Sequence, residues 1–217
     1  VSKGHFIVLE GQDGSGKSTQ ARLLAHRLEA GGRRCIVTEQ PGGTDEGRRI
    51  REILLNPDLS IDPKAELFLF LADRADHVAK VVKPALAENR TVISSRYLYS
   101  TLVYQGMVRN VAPVDFLLKM NLFAVDGLLP DLVLYLDLEA GDGLSRAQNS
   151  SMEEMNYVEG DRIEREGVHF QQKVRAGYRE LASRYAELFV TIEISGKSPE
   201  EVGDCIYSHV QGRLGDD

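Results

Sequence analysis

The chain has 217 residues, 42% hydrophobic and 27% charged, with a net charge of −7. That is enough chain for one well-buried domain with an ordinary soluble balance, and the negative charge argues against a general nucleic-acid-binding surface. No apolar run approaches the ~20 residues that span a membrane, the N-terminal stretch has no signal-peptide pattern, and the expected location is the cytosol.

In chain order, an apolar run at 5–10 comes first, followed by the glycine-rich stretch "GQDGSGKSTQ" (11–20). A helical pattern at 17–30 leads to a second apolar run at 35–39, then helices near 45–55 and 63–88. Apolar runs at 91–95, 132–138 and 189–194 alternate with helices near 97–106, 112–127, 162–187 and 198–213. The five runs carry little polar alternation, which marks strands buried on both faces of a parallel sheet. Apolar residues at Ile163, Phe170, Val174, Tyr178, Leu181, Tyr185 and Leu188 form one stripe along the sixth helix, read as core packing. Alternation of strand and helix predicts one three-layer α/β domain with a five-stranded parallel sheet. Ligands in such a sheet bind beyond the carboxyl ends of the strands, so the loops after 10, 40, 95 and 138 should converge. Cys35 and Cys205 fall in a strand and a helix without metal-site spacing, and the five scattered histidines include no H-E-x-x-H, so a zinc enzyme is rejected.

Gly11, Gly16, Lys17 and Ser18 match G-x-x-x-x-G-K-[ST], the phosphate-binding P-loop. Glycines let successive N–H groups turn inward, and the following helix adds the positive end of its dipole. The loop residues Gly11, Gln12, Asp13, Gly14, Ser15, Gly16, Lys17, Ser18 and Thr19 are therefore the candidate ATP site. Lys17 would reach the β- and γ-phosphates, and Ser18 would offer its hydroxyl to Mg²⁺. The loop names a donor but no acceptor. A GTPase would need N-K-x-D, which is absent, and a motor ATPase a strand ending in a carboxylate; strand 91–95 ends in Ser94-Ser95, and Asp137 reads as structural.

Four further segments resemble the thymidylate kinase family: "TEQPGGT" (38–44), "ELFLFLADRADHV" (66–78), "SSRYLYSTLVYQG" (94–106) and "PDLVLYLDL" (130–138). With the P-loop they run in order over most of the chain. The resemblance implies a P-loop kinase fold that uses ATP and Mg²⁺ to phosphorylate thymidine monophosphate (dTMP), commonly as a homodimer. It also implies site residues. Arg96 and Arg51 would hold the acceptor phosphate, Phe70 would stack on the base and Arg74 would meet the base edge. Asp13 would take the sugar 3′-hydroxyl. Thr101, Tyr104 and Gln105 would line the thymine edge and sugar, with Tyr104 crowding the 2′ position; Tyr97 and Tyr99 read as packing. Arg162 in "DRIE" would act from a lid at about 148–162, flanked by Arg146 and Arg165. Since a phosphate monoester is mostly a dianion above pH ~6, no general base is needed, and Lys17, Arg96 and Arg162 would act by placing and neutralising charge.

Three positions depart from the family. Ser95, a candidate metal neighbour, stands where an aspartate is usual; Glu39-Gln40 replaces Arg-Glu; and the lid stretch "QNSSMEEMNYVEG" (148–160) lacks Lys and Arg. Two alternatives stay open: a kinase for another nucleotide or a deoxynucleoside, and a nucleotide-binding protein of low turnover.

Overall fold

The computed structural model of the protein describes residues 4–139 and 166–215. Five strands form one parallel sheet: β1 (Phe6–Glu10), β2 (Cys35–Glu39), β3 (Thr91–Ser95), β4 (Leu132–Asp137) and β5 (Phe189–Glu193). Their order is β2-β3-β1-β4-β5. All four neighbouring pairs are parallel, with Leu9 opposite Ser95 and Glu39 opposite Ser95 on its other side. The three central strands are buried along their whole length; the edge strands β2 and β5 are only partly buried, so the expected burial on both faces fails where no further strand and helix cover them.

One face of the sheet is covered by α1 (Lys17–Ala30) and the last helix, α8 (Pro199–Leu214), around Leu24, Leu28, Ile206 and Val210. A capping box starts α8: Ser198 accepts from the Glu201 N–H while Glu201 accepts from the Ser198 N–H. The other face packs against α3 (Pro63–His77), α4 (Lys83–Ala87), α5 (Leu98–Thr101), α6 (Val114–Ala124) and α7 (Gly167–Arg184). Helix α2 (Asp45–Leu55) begins at Thr44, whose side chain caps the Gly47 N–H, and lies against α3.

Two expected helices are less regular than their sequence pattern. The 63–88 segment is one continuous rod, but Val78–Val82 is π-helical between α3 and α4. The 97–106 segment is α-helical only over α5, then π-helical through Leu102–Val108. Such widened turns are frequent at functional sites, and Tyr104 and Gln105 sit inside the second. Of the expected stripe on α7, Val174, Tyr178 and Leu181 are fully buried and Phe170 packs against them. Ile163, Arg146, Arg162, Arg165 and the lid at 148–162 lie outside the described residues.

Candidate active site

The loop after β1 turns back sharply. A Cβ on Gly11 would lie 2.8 Å from both the Leu136 carbonyl oxygen and Ser15 Oγ, so only glycine fits. Gln12 donates to the Glu139 carbonyl, tying this loop to the end of β4. Lys17 is folded inward: its Nζ donates to the Gln12 carbonyl at 2.6 Å and to Ser15 Oγ at 3.1 Å. Burial, helped by nearby Arg96, brings the Lys17 ammonium down to about 7. Gly14 and Gly16 have positive φ, and Ser18 and Thr19 are exposed on the first turn of α1.

Arg96 follows β3 in a left-handed conformation, φ 72°, uncommon for a residue with a side chain. Its N–H still bonds the Leu9 carbonyl, so β1 and β3 fix the backbone. The guanidinium pairs with Asp13, reaches Ser100 Oγ at 3.2 Å and lies 5.2 Å from the Tyr104 ring centre. Burial opposes the Asp13 charge, but Arg96 and Lys17 outweigh it and hold the carboxyl below its usual range. Beneath this pair lies Glu10, fully buried at the end of β1. It accepts from the Tyr97 N–H, the Ser100 N–H, Ser100 Oγ and Tyr178 Oη, at 2.7 to 3.2 Å. Tyr178 is thus more than packing, because it joins α7 to the floor of the site.

The other end of the cleft is built by α3. Residues 73, 76 and 77 share one helical face and clamp the Pro-Gly-Gly-Thr loop after β2. Asp73 accepts from the Gly42 N–H at 2.8 Å and Asp76 from Thr44 Oγ1 at 2.7 Å. Burial raises the Asp73 carboxyl to about 6. The His77 ring lies so close that a Cβ on Gly43 would be 2.3 Å from its Cδ2. Burial first, then Arg74, lowers His77 to about 4, so the ring is neutral near pH 7. Gln40 donates to His77 Nδ1, which leaves Nε2–H to donate to Thr38.

Arg74 is 2% exposed and does not pair with Asp73 or Asp76. Its Nε donates to Gln40 Oε1, Nη1 to Thr101 Oγ1 and Asn121 Oδ1, and Nη2 to the Tyr97 carbonyl, at 2.6 to 3.0 Å. Four of its five N–H groups are used. Phe70, one turn earlier, is half-buried on the cleft wall. Arg51 reaches over from α2 and donates to the Pro41 carbonyl. Gln105 donates to Glu66 Oε1 at 2.8 Å.

All eight residues expected to meet the acceptor, Asp13, Arg51, Phe70, Arg74, Arg96, Thr101, Tyr104 and Gln105, border one cleft of about 570 Å³ counting its mouth. Gln40 and Ser100 border it too and were not expected. Glu10 and Glu66 were not expected at the site either, and Tyr178 was expected only as core packing. A carboxylate closing a wholly apolar strand was a usable signal for Glu10; nothing local marks the other two. Ser95 is 6% exposed at the end of β3, and Asp137 is tied to Arg175, Arg179 and Tyr135 Oη, in keeping with a structural role. Among the described residues no group of three His, Cys, Asp or Glu could hold a metal. The hydroxyl oxygens of Ser18 and Ser95 suit an ion such as Mg²⁺, which takes few protein ligands and draws the rest from water and phosphates.

The family model described as thymidylate kinase matches residues 9–206. A thymidylate kinase of Halothermothrix orenii is 42% identical over 98% of this chain and 99% of that protein. One of Nitratidesulfovibrio vulgaris strain DP4 is 44% identical over 97% of this chain and 94% of that protein. The crystal structure of thymidylate kinase from Ehrlichia chaffeensis matches with a TM-score of 0.76 at 26% identity, over 96% of this chain and 99% of that one.

Proposed function

The chain belongs to the thymidylate kinase family and transfers phosphate from ATP to dTMP, giving dTDP; we propose that it does so as one domain, with the residues gathered around the cleft. In this reading the base lies against Phe70 with its edge toward Arg74, Thr101 and Gln105. The sugar sits between Asp13 and Tyr104, whose ring leaves little room for a 2′-hydroxyl. Arg96 and Arg51 take the acceptor phosphate. ATP phosphates lie on residues 11–19, and Lys17 swings from the Gln12 carbonyl onto them.

An acceptor phosphate oxygen then attacks the γ-phosphorus in line, and the bond to the β–γ bridging oxygen breaks. The acceptor arrives as a dianion, so no side chain needs to remove a proton. What the protein supplies is position and positive charge from Lys17 and Arg96, with Arg162, which lies outside the described residues, as the third expected cation. Ser18 and Ser95 would hold a Mg²⁺ arriving with ATP, which would supply positive charge to offset that of the phosphates. We read the active form as a homodimer, since Ile53, Phe68, Phe116 and Phe123 leave apolar surface on the neighbouring helices α2, α3 and α6, Phe123 being 87% exposed. Two unpaired cysteines suit the cytosol.

One observation carries the residue assignment: an aromatic wall (Phe70), a buried arginine edge (Arg74) and a second arginine, Arg96, paired with the P-loop residue Asp13, line a single cleft. A coupled ADP-release assay over a panel of nucleoside monophosphates tests it. dTMP should be turned over best, with dUMP behind it. A preference for a purine or ribose monophosphate would sink the assignment.

A further inference from the structure

Gln105 and Arg74, with Thr101 and Gln40 bonded to the latter, are polar groups at the base end of the cleft. An amide can present either its oxygen or its NH₂ to a ligand, and the two choices read opposite pyrimidine edges. Thymine and uracil carry an N3–H donor beside a 4-oxo acceptor. Cytosine carries an N3 acceptor beside a 4-amino donor. The fixed orientation of Gln105 therefore decides which base fits.

That orientation has a visible cause. Gln105 Nε2 lies 2.8 Å from Glu66 Oε1, and Glu66 is 1% exposed on the first turns of α3. A carboxylate has no proton to give, so it can only accept, and it forces the amide NH₂ toward itself. The Gln105 amide oxygen has no hydrogen-bond partner among the described residues, and the residue borders the cleft. Arg109 Nε stands 3.4 Å from the same Glu66 oxygen and offsets its charge; its Nη2 meets Glu166 at 2.8 Å, and its guanidinium lies 5.3 Å from the Phe170 ring centre. On the other side, Arg74 has one N–H left after its four bonds.

We infer that Glu66 is a positioning residue for base choice: it holds the Gln105 amide with its oxygen facing the cleft, so that the site offers an acceptor beside the Arg74 donor and selects 4-oxo pyrimidines carrying N3–H. This rests on the reading of the cleft as the pyrimidine site. Glu66 touches no substrate. Its partner Gln105 does, and Arg109 keeps the carboxylate from being a lone buried charge.

Glu66→Gln keeps the shape but lets the two amides pair in either sense. Steady-state kinetics at saturating ATP with dTMP, dUMP and dCMP read the effect. KM for dTMP and dUMP should rise on the order of tenfold, the size of one mis-set buried hydrogen bond. The dTMP-over-dCMP ratio should narrow by a similar factor, while kcat at saturating dTMP and KM for ATP stay within about twofold. Glu66→Asp, which keeps an acceptor-only group, should retain more of the ratio than Glu66→Gln. A folded Glu66→Gln protein with an unchanged ratio, or with equal losses on all three nucleotides, overturns the proposal. Should that variant not fold, Gln105→Leu answers instead: the ratio must collapse, and full discrimination without the amide overturns the proposal equally. Calorimetric binding of dTMP and dCMP gives the same ratio without turnover. A wild type that binds both but phosphorylates neither would therefore sink the kinase assignment, while the ratio still decides the role of Glu66.

Discussion

The two ends of the cleft are prepared in different ways. At the base end the protein has already made its bonds: Arg74 uses four N–H groups on Gln40, Thr101, Asn121 and Tyr97, and His77 and Asp73 lock the loop beside it. At the phosphate end the charged groups satisfy one another instead. Arg96 holds Asp13, and Lys17 holds its own loop's carbonyl. In the proposed assignment, recognition is thus built into the resting fold, whereas the catalytic charge is stored in contacts that nucleotides must replace. A rigid base slot needs no ligand to take shape, and a neutralised phosphate site avoids leaving bare cations in a buried place.

The sharpest way to break this contrast is Lys17→Ala. Transfer should fall on the order of a thousandfold or more, while calorimetric dTMP affinity changes little, because the lysine belongs to the other end. Loss of dTMP binding in a folded variant would mean the two ends are not separable. Next comes Arg74→Lys. An ammonium cannot reach four acceptors in a plane, so the variant should lose about 3 kcal/mol of stability in denaturant unfolding and about a hundredfold in kcat/KM for dTMP. A variant as stable as the parent would show that the base end is not preorganised by this network. Phe70→Ala should weaken dTMP binding by ~1–3 kcal/mol through lost stacking and leave ATP binding alone; equal weakening of both ligands would make Phe70 a core residue.

The smallest effect concerns pH. Lys17 works charged, and in the free enzyme its ammonium sits at about 7. kcat/KM for ATP, which reports the free enzyme, should therefore fall as pH rises above that value, by up to about tenfold per unit. kcat should hold further into base, because bound phosphates favour the charged lysine. A flat kcat/KM profile between pH 7 and 9 would place the lysine in a more solvated setting than the buried one described.

How much of this was legible beforehand differs between the same two ends. Strands 35–39 and 91–95 agree with β2 and β3 residue for residue, because each β-branched pair, Ile36-Val37 and Val92-Ile93, sits in a short apolar run bounded by polar residues; β3 is buried throughout, whereas β2, at the sheet edge, is buried only at Cys35. That Arg51, Arg74 and Arg96 come together at one cleft was legible from motif and order. What sequence could not give was pairing. Nothing near Glu66 says that Gln105 is its partner, 39 positions away, nor near Glu10 that Ser100 and Tyr178 meet it. Nor does a spacing rule drawn from α-helices announce that the turn carrying Tyr104 and Gln105 is widened. Arg74 lies in an apolar helix beside two aspartates, and only the fold reveals that its bonds run to four other segments.

The two faces of the sheet suggest where this chain can be altered at little cost. Every side chain of the base slot belongs to the face bearing α3, α5 and α6, or to the loops at its rim. The opposite layer, where Val202, Ile206 and Val210 of α8 pack against Leu24 and Leu28 of α1, borders no part of the cleft. Thermostabilising designs, purification fusions and reporter dyes can therefore be engineered from the α8 side, by repacking under Ile206 or by labelling the outer surface of that helix. The kinetic constants then serve as an internal control, since a change made there that alters base preference would reveal coupling across the sheet.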